Sequence, residues 1–318
     1  MSPHVNGDAP LVFVPNSLSN FVSVIDPRTF TVIKTFRVGK EPHHITPAWD
    51  LRTLYVDDTR GNALIPIDPR TAQPGPPIHV DDPYNLYFTP DGTKAIVVAE
   101  AIRSLDIRDP KTWKLLERIS MPCRGVNHGD FTADGEFFLV SCEFSGKLIK
   151  VDMRTLRVVG TLNIGGRPID VRLSPDGSLV YIANEGRAFG GVQLVDPARM
   201  RLTLFLKTGA GAHGEIPSRD GHSLYVTNRL GHTISVIDFA SRKVVATWTI
   251  PRGSPDMGGV SADGDQLWVS GRYNREVYAI DTRTGKLLAR IRVGGGPHGL
   301  CYFPQPGRYS LGHTGNYR

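Results

Sequence analysis

Four histidines stand at near-regular intervals: His44, His128, His213 and His298 are separated by 84, 85 and 85 residues. Neutral imidazoles that converge on one point are ligands for a divalent transition metal: Zn, Fe, Cu, Ni or Mn. Convergence needs a fold that brings the chain back to one place at half that interval, and the sequence has such a period. Similar segments begin at Pro42, Pro83, Val126, Pro168, Ala212, Pro255 and Pro297, in steps of 41, 43, 42, 44, 43 and 42 residues. A period of this length marks a repeat architecture.

The repeats read as antiparallel strands. Five of the segments run to an Asp-Gly turn, at Asp91-Gly92, Asp134-Gly135, Asp176-Gly177, Asp220-Gly221 and Asp263-Gly264. Gly there accepts positive φ without cost, as a tight hairpin requires. Runs such as Phe21-Val22-Ser23-Val24-Ile25 and Thr31-Val32-Ile33-Lys34-Thr35-Phe36 alternate in the manner of half-buried strands. A second series of turns, at Asp26, Asp68, Asp109, Asp152, Asp196, Asp238 and Asp281, closes each third strand and also counts seven. The first of these precedes every segment start, and the last start has none after it. A closed ring explains the offset, with the C-terminal segment supplying the innermost strand of the last blade and residues 11–36 its outer strands. The expected fold is all-β: one seven-bladed β-propeller of four-stranded antiparallel blades over residues 11–307. A disordered lead (1–10) and a tail (308–318) lying over the channel face complete it.

The first strand of each blade lines the central channel, so two consecutive positions per repeat form two rings at one mouth. The first is His43, Tyr84, Asn127, Ile169, His213, Asp256 and His298; the second is His44, Asn85, His128, Asp170, Gly214, Met257 and Gly299. His44, His128, His213 and His298 come from blades 1, 3, 5 and 7 and are the expected metal ligands. His213 and His298 belong to one ring, His44 and His128 to the other, and His43 is an alternative to His44. Loops after the second strands reach the same face and bring Asp57, Asp58, Glu100, Glu143, Glu185, Asn228 and His232. Among the acid–base candidates Glu215, Glu143 and His43 come first. Tyr84, Asn85, Asn127, Asp170, Asp256 and Met257 would contact a substrate. Arg124 and Arg167 could clamp its carboxylate or phosphate, and His313 would arrive from the tail.

The second strands carry a family signature. Tyr225-Val226-Thr227-Asn228 and its variant Tyr181-Ile182-Ala183-Asn184 resemble the YVTN β-propeller repeat. On them the chain resembles the YncE-like propellers, along with lactonase-like and streptogramin B lyase-like enzymes and haem d1-related proteins. The resemblance runs from Leu11 to about Gly307 and implies the fold. It implies no single activity, because this scaffold serves hydrolases, lyases and non-catalytic proteins alike. In arrangement, though not in sequence, the four histidines resemble the four-His iron site of carotenoid-cleaving oxygenases.

Composition narrows the classes. Lys and Arg number 37 against 31 Asp and Glu, giving a net charge of +6. The charges are scattered along the chain, so neither nucleic acid nor a membrane is an expected partner; a small-molecule substrate is. Apolar runs are strand-sized, and residues 1–10 lack the basic and apolar regions of a secretory signal, so the expected location is cytoplasmic. Cys123, Cys142 and Cys301 are odd in number and form no CxxC pair, which fits buried thiols in a reducing compartment. Walker, GxSxG, HExxH and CxxCH motifs are absent.

These observations point to a metal-dependent enzyme with lyase or lactonase-like hydrolase chemistry, the metal polarising a carbonyl or ester oxygen. A His-ligated iron or copper oxygenase is the alternative, with Met257, Tyr84 and Ile169 lining its cavity. A non-catalytic binding scaffold is the third reading, with Trp49, Tyr84 and Tyr273 as contact residues.

Overall fold

The structure is a computed structural model that describes residues 1–186 and 190–312. Seven sheets surround a central channel, and within six of them the strands follow chain order from the channel outward. In blade 3, for example, Val126–Phe131 is innermost, followed by Phe137–Cys142, Lys147–Asp152 and Arg157–Asn163. Blade 7 closes the ring as the offset of the turns requires. Its innermost strand is Cys301–Phe303, paired with Leu11–Asn16 through Val12 opposite Tyr302. Blade 1 has a broken outer strand, Gln73–Pro74 and Ile78–His79, because Pro74, Pro76 and Pro77 cannot donate to a ladder.

The turn aspartates act locally. Asp152 Oδ1 accepts the amides of Arg154 and Thr155 at 2.8 Å each. Four residues after each such Asp the chain takes positive φ, at Phe30, Ala72, Trp113, Leu156, Met200, Arg242 and Gly285.

An apolar cluster fills each of the seven gaps between blades. Tyr87, Ile96, Phe131 and Phe138 pack between blades 2 and 3, and Trp268, Val12 and Tyr302 between blades 6 and 7. A fully buried side chain of this kind contributes about 1.5–3 kcal/mol, so the ring is held by seven cores rather than one.

Three expectations about the periphery need correction. Cys123 and Cys142 form a disulfide and Cys301 is a buried thiol outside it, so cysteine usage does not point to a reducing compartment. Their Cα atoms lie 6.1 Å apart because Cys142 ends a second strand beside the loop that carries Cys123. The lead is packed rather than disordered: Val5 is buried against blades 7 and 1, and Arg70 bonds both Asp8 and the His4 carbonyl. The tail passes under the far end of the channel, away from the histidines. Gln305 Nε2 donates to the Val260 carbonyl at 2.8 Å, Tyr309 stacks on Trp49, and Gly312 bridges to Tyr87. Blade 7's inner strand runs away from the histidine mouth, which delivers the tail to the opposite face. His313 lies outside the described residues.

Candidate functional site

Adjacent residues of a strand point to opposite faces, yet His43 and His44 both reach the channel. A β-bulge is the cause. The ladder between the first and second strands slips between Pro42 and Ile45, and at the same place in blades 3, 4, 5 and 6. The slip spans the two positions that the sequence shows as separate rings. A bulge sets two residues against one and re-aims side chains, so the two rings merge.

Around blades 7, 1 and 3 the result is a packed group of imidazoles. His43 stacks on His298 with centroids 4.2 Å apart, and His44 lies 4.8 Å from both. One ligand nitrogen each from His43, His44 and His298 falls within 4.8 Å of the others. His128 joins them through a 3.1 Å contact between its Nε2 and that of His44. Two of the far nitrogens are fixed. His44 Nδ1 donates to the Tyr84 carbonyl at 3.0 Å, and His298 Nδ1 donates to Asp256 Oδ2 at 2.7 Å. Both rings therefore turn an Nε2 lone pair inward. Among the described residues, the Nε2 of His298 and the Nδ1 of His43 are buried without a hydrogen-bond partner. Burial, reinforced for His43 by the charges of His298 and Arg272, holds its pKa well below the usual value. Burial likewise lowers His298 to about 4 against the pull of Asp256. His43 and His298 are thus neutral imidazoles at pH 7.

Gly299 makes room for this group. A Cβ there would stand 2.0 Å from His44 Cδ2, so the ring lies directly on backbone.

His213, expected among the ligands, has a different setting. Its Nδ1 meets Glu185 Oε1 at 2.9 Å and its Nε2 meets Asp256 Oδ1 at 3.0 Å, so both nitrogens are taken. Arg229 closes the network with 2.5 Å to Glu185 and 3.4 Å to Asp256. Burial and Arg229 oppose protonation of His213, but the two carboxylates prevail and its pKa is raised. His43 lies next to His44 and His298, while His213 shares Asp256 with His298, and the ligand atoms of His213, Asp256 and His298 form a second group within 4.8 Å.

The acid–base candidates are corrected too. Glu143 pairs with Arg167 and accepts from Asn127 Nδ2 at 3.0 Å, and Tyr84 O–H donates to the same Asn127 at 3.3 Å. Arg167 is thereby engaged as a partner of Glu143. Glu215 lies in the wall below the mouth, where burial and the neighbouring Asp170 push its pKa well up. Asp170 is structural: it accepts the Glu215 amide at 2.9 Å and faces the buried Arg172 at 3.2 Å. Asn85 bonds Tyr87 O–H, Met257 is buried, and Arg124 is exposed. Asp57, expected in a rim loop, is fully buried in a strand and its pKa is raised by burial. Glu100 sits half-buried at the mouth, raised to about 7 by burial and by the charges of Glu143 and Asp82.

Sequence reasoning missed Arg229, Arg272 and Arg172. Each interrupts or directly ends an otherwise apolar or polar-neutral strand (Val171-Arg172-Leu173, Asn228-Arg229, Gly271-Arg272), a position where a cation needs a buried partner.

Comparison with known proteins agrees with the fold. The YNCE-like β-propeller family matches residues 4–307. The seven-bladed β-propeller protein Rv1057 of Mycobacterium tuberculosis is 30% identical over 119 residues, which are 36% of this chain and 29% of that protein's length. Among solved structures, a functionally unknown protein from Desulfotomaculum acetoxidans superposes with a TM-score of 0.77 at 16% identity, covering 93% of this chain and 99% of its own. Dihydro-haem d1 dehydrogenase NirN gives 0.70 at 14% identity, covering 95% and 76%. At such identities the likeness is one of fold.

Proposed function

The chain belongs to the YNCE-like β-propeller family, and we propose that its channel mouth holds one divalent transition metal and acts on a small molecule. The reading rests on one observation: buried imidazoles of His43, His44 and His298 gather their ligand atoms within 4.8 Å, with His128 at 3.1 Å from His44. Buried nitrogens without partners are costly unless something binds them. A set of neutral nitrogens suits Zn, Cu, Fe or Ni better than Mg or Ca.

A metal on four imidazoles keeps its full double charge and would act as a Lewis acid on a carbonyl or ester oxygen. The chain's own residues supply the rest. Asp256 and the Tyr84 carbonyl orient the rings, and His213, His298 and Arg229 hold Asp256 ionised against burial. Glu100, with a pKa near 7, is the group at the mouth able to take and return a proton at neutral pH. This favours lyase or hydrolase chemistry. An oxygenase is the second reading, favoured by the all-imidazole donor set, which equally suits redox-active iron or copper.

Elemental analysis of protein purified without a His-tag or chelator tests the proposal. About one equivalent of Fe, Cu, Zn, Ni or Mn, lost in His44→Ala/His298→Ala and retained in His213→Ala, is the expected result. No metal in the wild type after reconstitution contradicts it.

A further inference from the structure

The loops of the histidine face carry a pattern that the channel chemistry does not use. In five blades the loop between second and third strands presents one large apolar side chain to solvent: Ile102, Phe144, Leu230, Tyr273 and Leu18. Their exposures are 45%, 52%, 58%, 60% and 79%. Most other exposed apolar residues, such as Val159, Leu204 and Val245, lie along the outermost strands and face sideways from the blade rims.

Charge on this face is equally ordered. Arg60, Arg103 and Arg275 are exposed cations of the same loops, and Lys40, Arg124 and Arg252 are exposed cations of the entry loops on that face. Most acids there are engaged: Asp58 and Glu143 are buried, Glu41 pairs with Arg60, Asp81 with Arg118, Glu185 with Arg229, and Asp82 accepts the Ala101 amide, while Glu100 stays half-buried. Two of the apolar tips carry a cation themselves, Arg167 standing 5.8 Å from the Phe144 ring and Arg229 5.6 Å from Tyr273. Scattered in sequence, these residues are gathered on one face by the fold.

We propose that this face docks on an anionic lipid surface. The apolar tips enter the boundary between headgroups and acyl chains, and the cations meet lipid phosphates. The aliphatic tips Leu18, Ile102 and Leu230 disfavour nucleic acid, because they have no stacking to offer a base. Their separation around a ring disfavours a rigid protein partner, whose hot spots cluster at the centre of an interface. A fluid surface accepts isolated insertions. The proposal does not depend on a metal; it would open the channel mouth toward molecules partitioned in the bilayer.

Co-sedimentation with vesicles tests it, comparing phosphatidylcholine alone with a mixture containing about one-third phosphatidylglycerol, at low and high salt. The wild type binds the anionic vesicles at least about tenfold more strongly than the zwitterionic ones, and salt weakens the binding. Leu18→Ser/Ile102→Ser/Leu230→Ser and Arg103→Glu/Arg252→Glu/Arg275→Glu each lower it about tenfold, with the thermal transition and metal content unchanged. Should either triple variant fail to fold, Tyr273→Trp serves instead, its emission shifting to the blue on anionic vesicles. Absent vesicle binding, or binding unchanged in both triple variants, overturns the proposal. So does a DNA duplex, or a dimer of this chain, held through these residues while vesicles are not.

Discussion

The two sides of the channel mouth use the same strand positions and bulges for opposite ends. On the side of blades 7, 1 and 3, imidazoles face one another and leave nitrogens such as His298 Nε2 and His43 Nδ1 buried without a partner among the described residues. On the side of blades 4 to 6, His213 is enclosed by Glu185, Asp256 and Arg229, and Asp170 by Arg172 and the Glu215 amide. On the second side the histidine and Asp170 are closed off by charged partners; the first holds unused donor capacity. Asp256 joins them, because one carboxylate oxygen takes His213 and the other His298. The difference teaches that residue type does not assign the role of a histidine here. What its second nitrogen meets does.

Breaking the shared carboxylate has the largest expected effect. In Asp256→Asn one oxygen becomes an amide donor facing an imidazole. If it faces His298, the ring must move its proton to Nε2 and loses the inward lone pair. Metal affinity is expected to fall about 10–100-fold, and denaturant unfolding to show a loss of about 3 kcal/mol from the stranded His213 and Arg229. Glu185→Gln, confined to the second side, leaves metal affinity within about threefold of wild type; titration with a metal-indicator competition assay compares the two.

Gly299→Ala sharpens the comparison without touching a donor. The added methyl meets the His44 ring at 2.0 Å and displaces it. Metal affinity falls about tenfold while His213 and its partners stay in place. An unchanged affinity would mean that His44 is not a ligand.

A smaller effect is expected of Glu100→Gln. A carboxyl raised to about 7 in the folded chain binds its proton more tightly than in the unfolded chain, whose value is near 4.5. Stability from this group is therefore present below pH 4.5 and lost as pH rises to 7. The variant removes that loss and gains about 1–2 kcal/mol at pH 8 but not at pH 4. Thermal melts across this range read it directly.

Glu215→Gln is expected to be the mildest. The acid is fully buried and its proton is retained by burial and Asp170, so a neutral amide of the same shape costs less than about 1 kcal/mol. A loss several times larger would show that Glu215 is ionised.

The fold was legible because each of seven repeats carries its own turn and strand signals, so an error in one is outvoted by the others. The gathering of histidines at one mouth was legible for the same reason: His43, His44, His128, His213 and His298 occupy two adjacent positions of the repeat. Which of them face one another and which face carboxylates was not. Bulges at Pro42/Ile45 and Ala212/Glu215 arise from pairing with the second strand and leave no mark on local composition. Partners such as Arg229 and Glu185 come from other loops, so burial and charge pairing decide what a local pattern cannot. The Cys123–Cys142 bond, likewise, depends on a 6.1 Å approach that no spacing rule anticipates.

X-ray absorption at the edge of the bound metal tests the central claim most directly. The account predicts a first shell of three or four imidazole nitrogens, at about 2.0–2.1 Å if the ion is zinc, that loses nitrogens in His43→Ala and stays intact in His213→Ala. A shell dominated by oxygen, or one that changes in His213→Ala and not in His43→Ala, would contradict it.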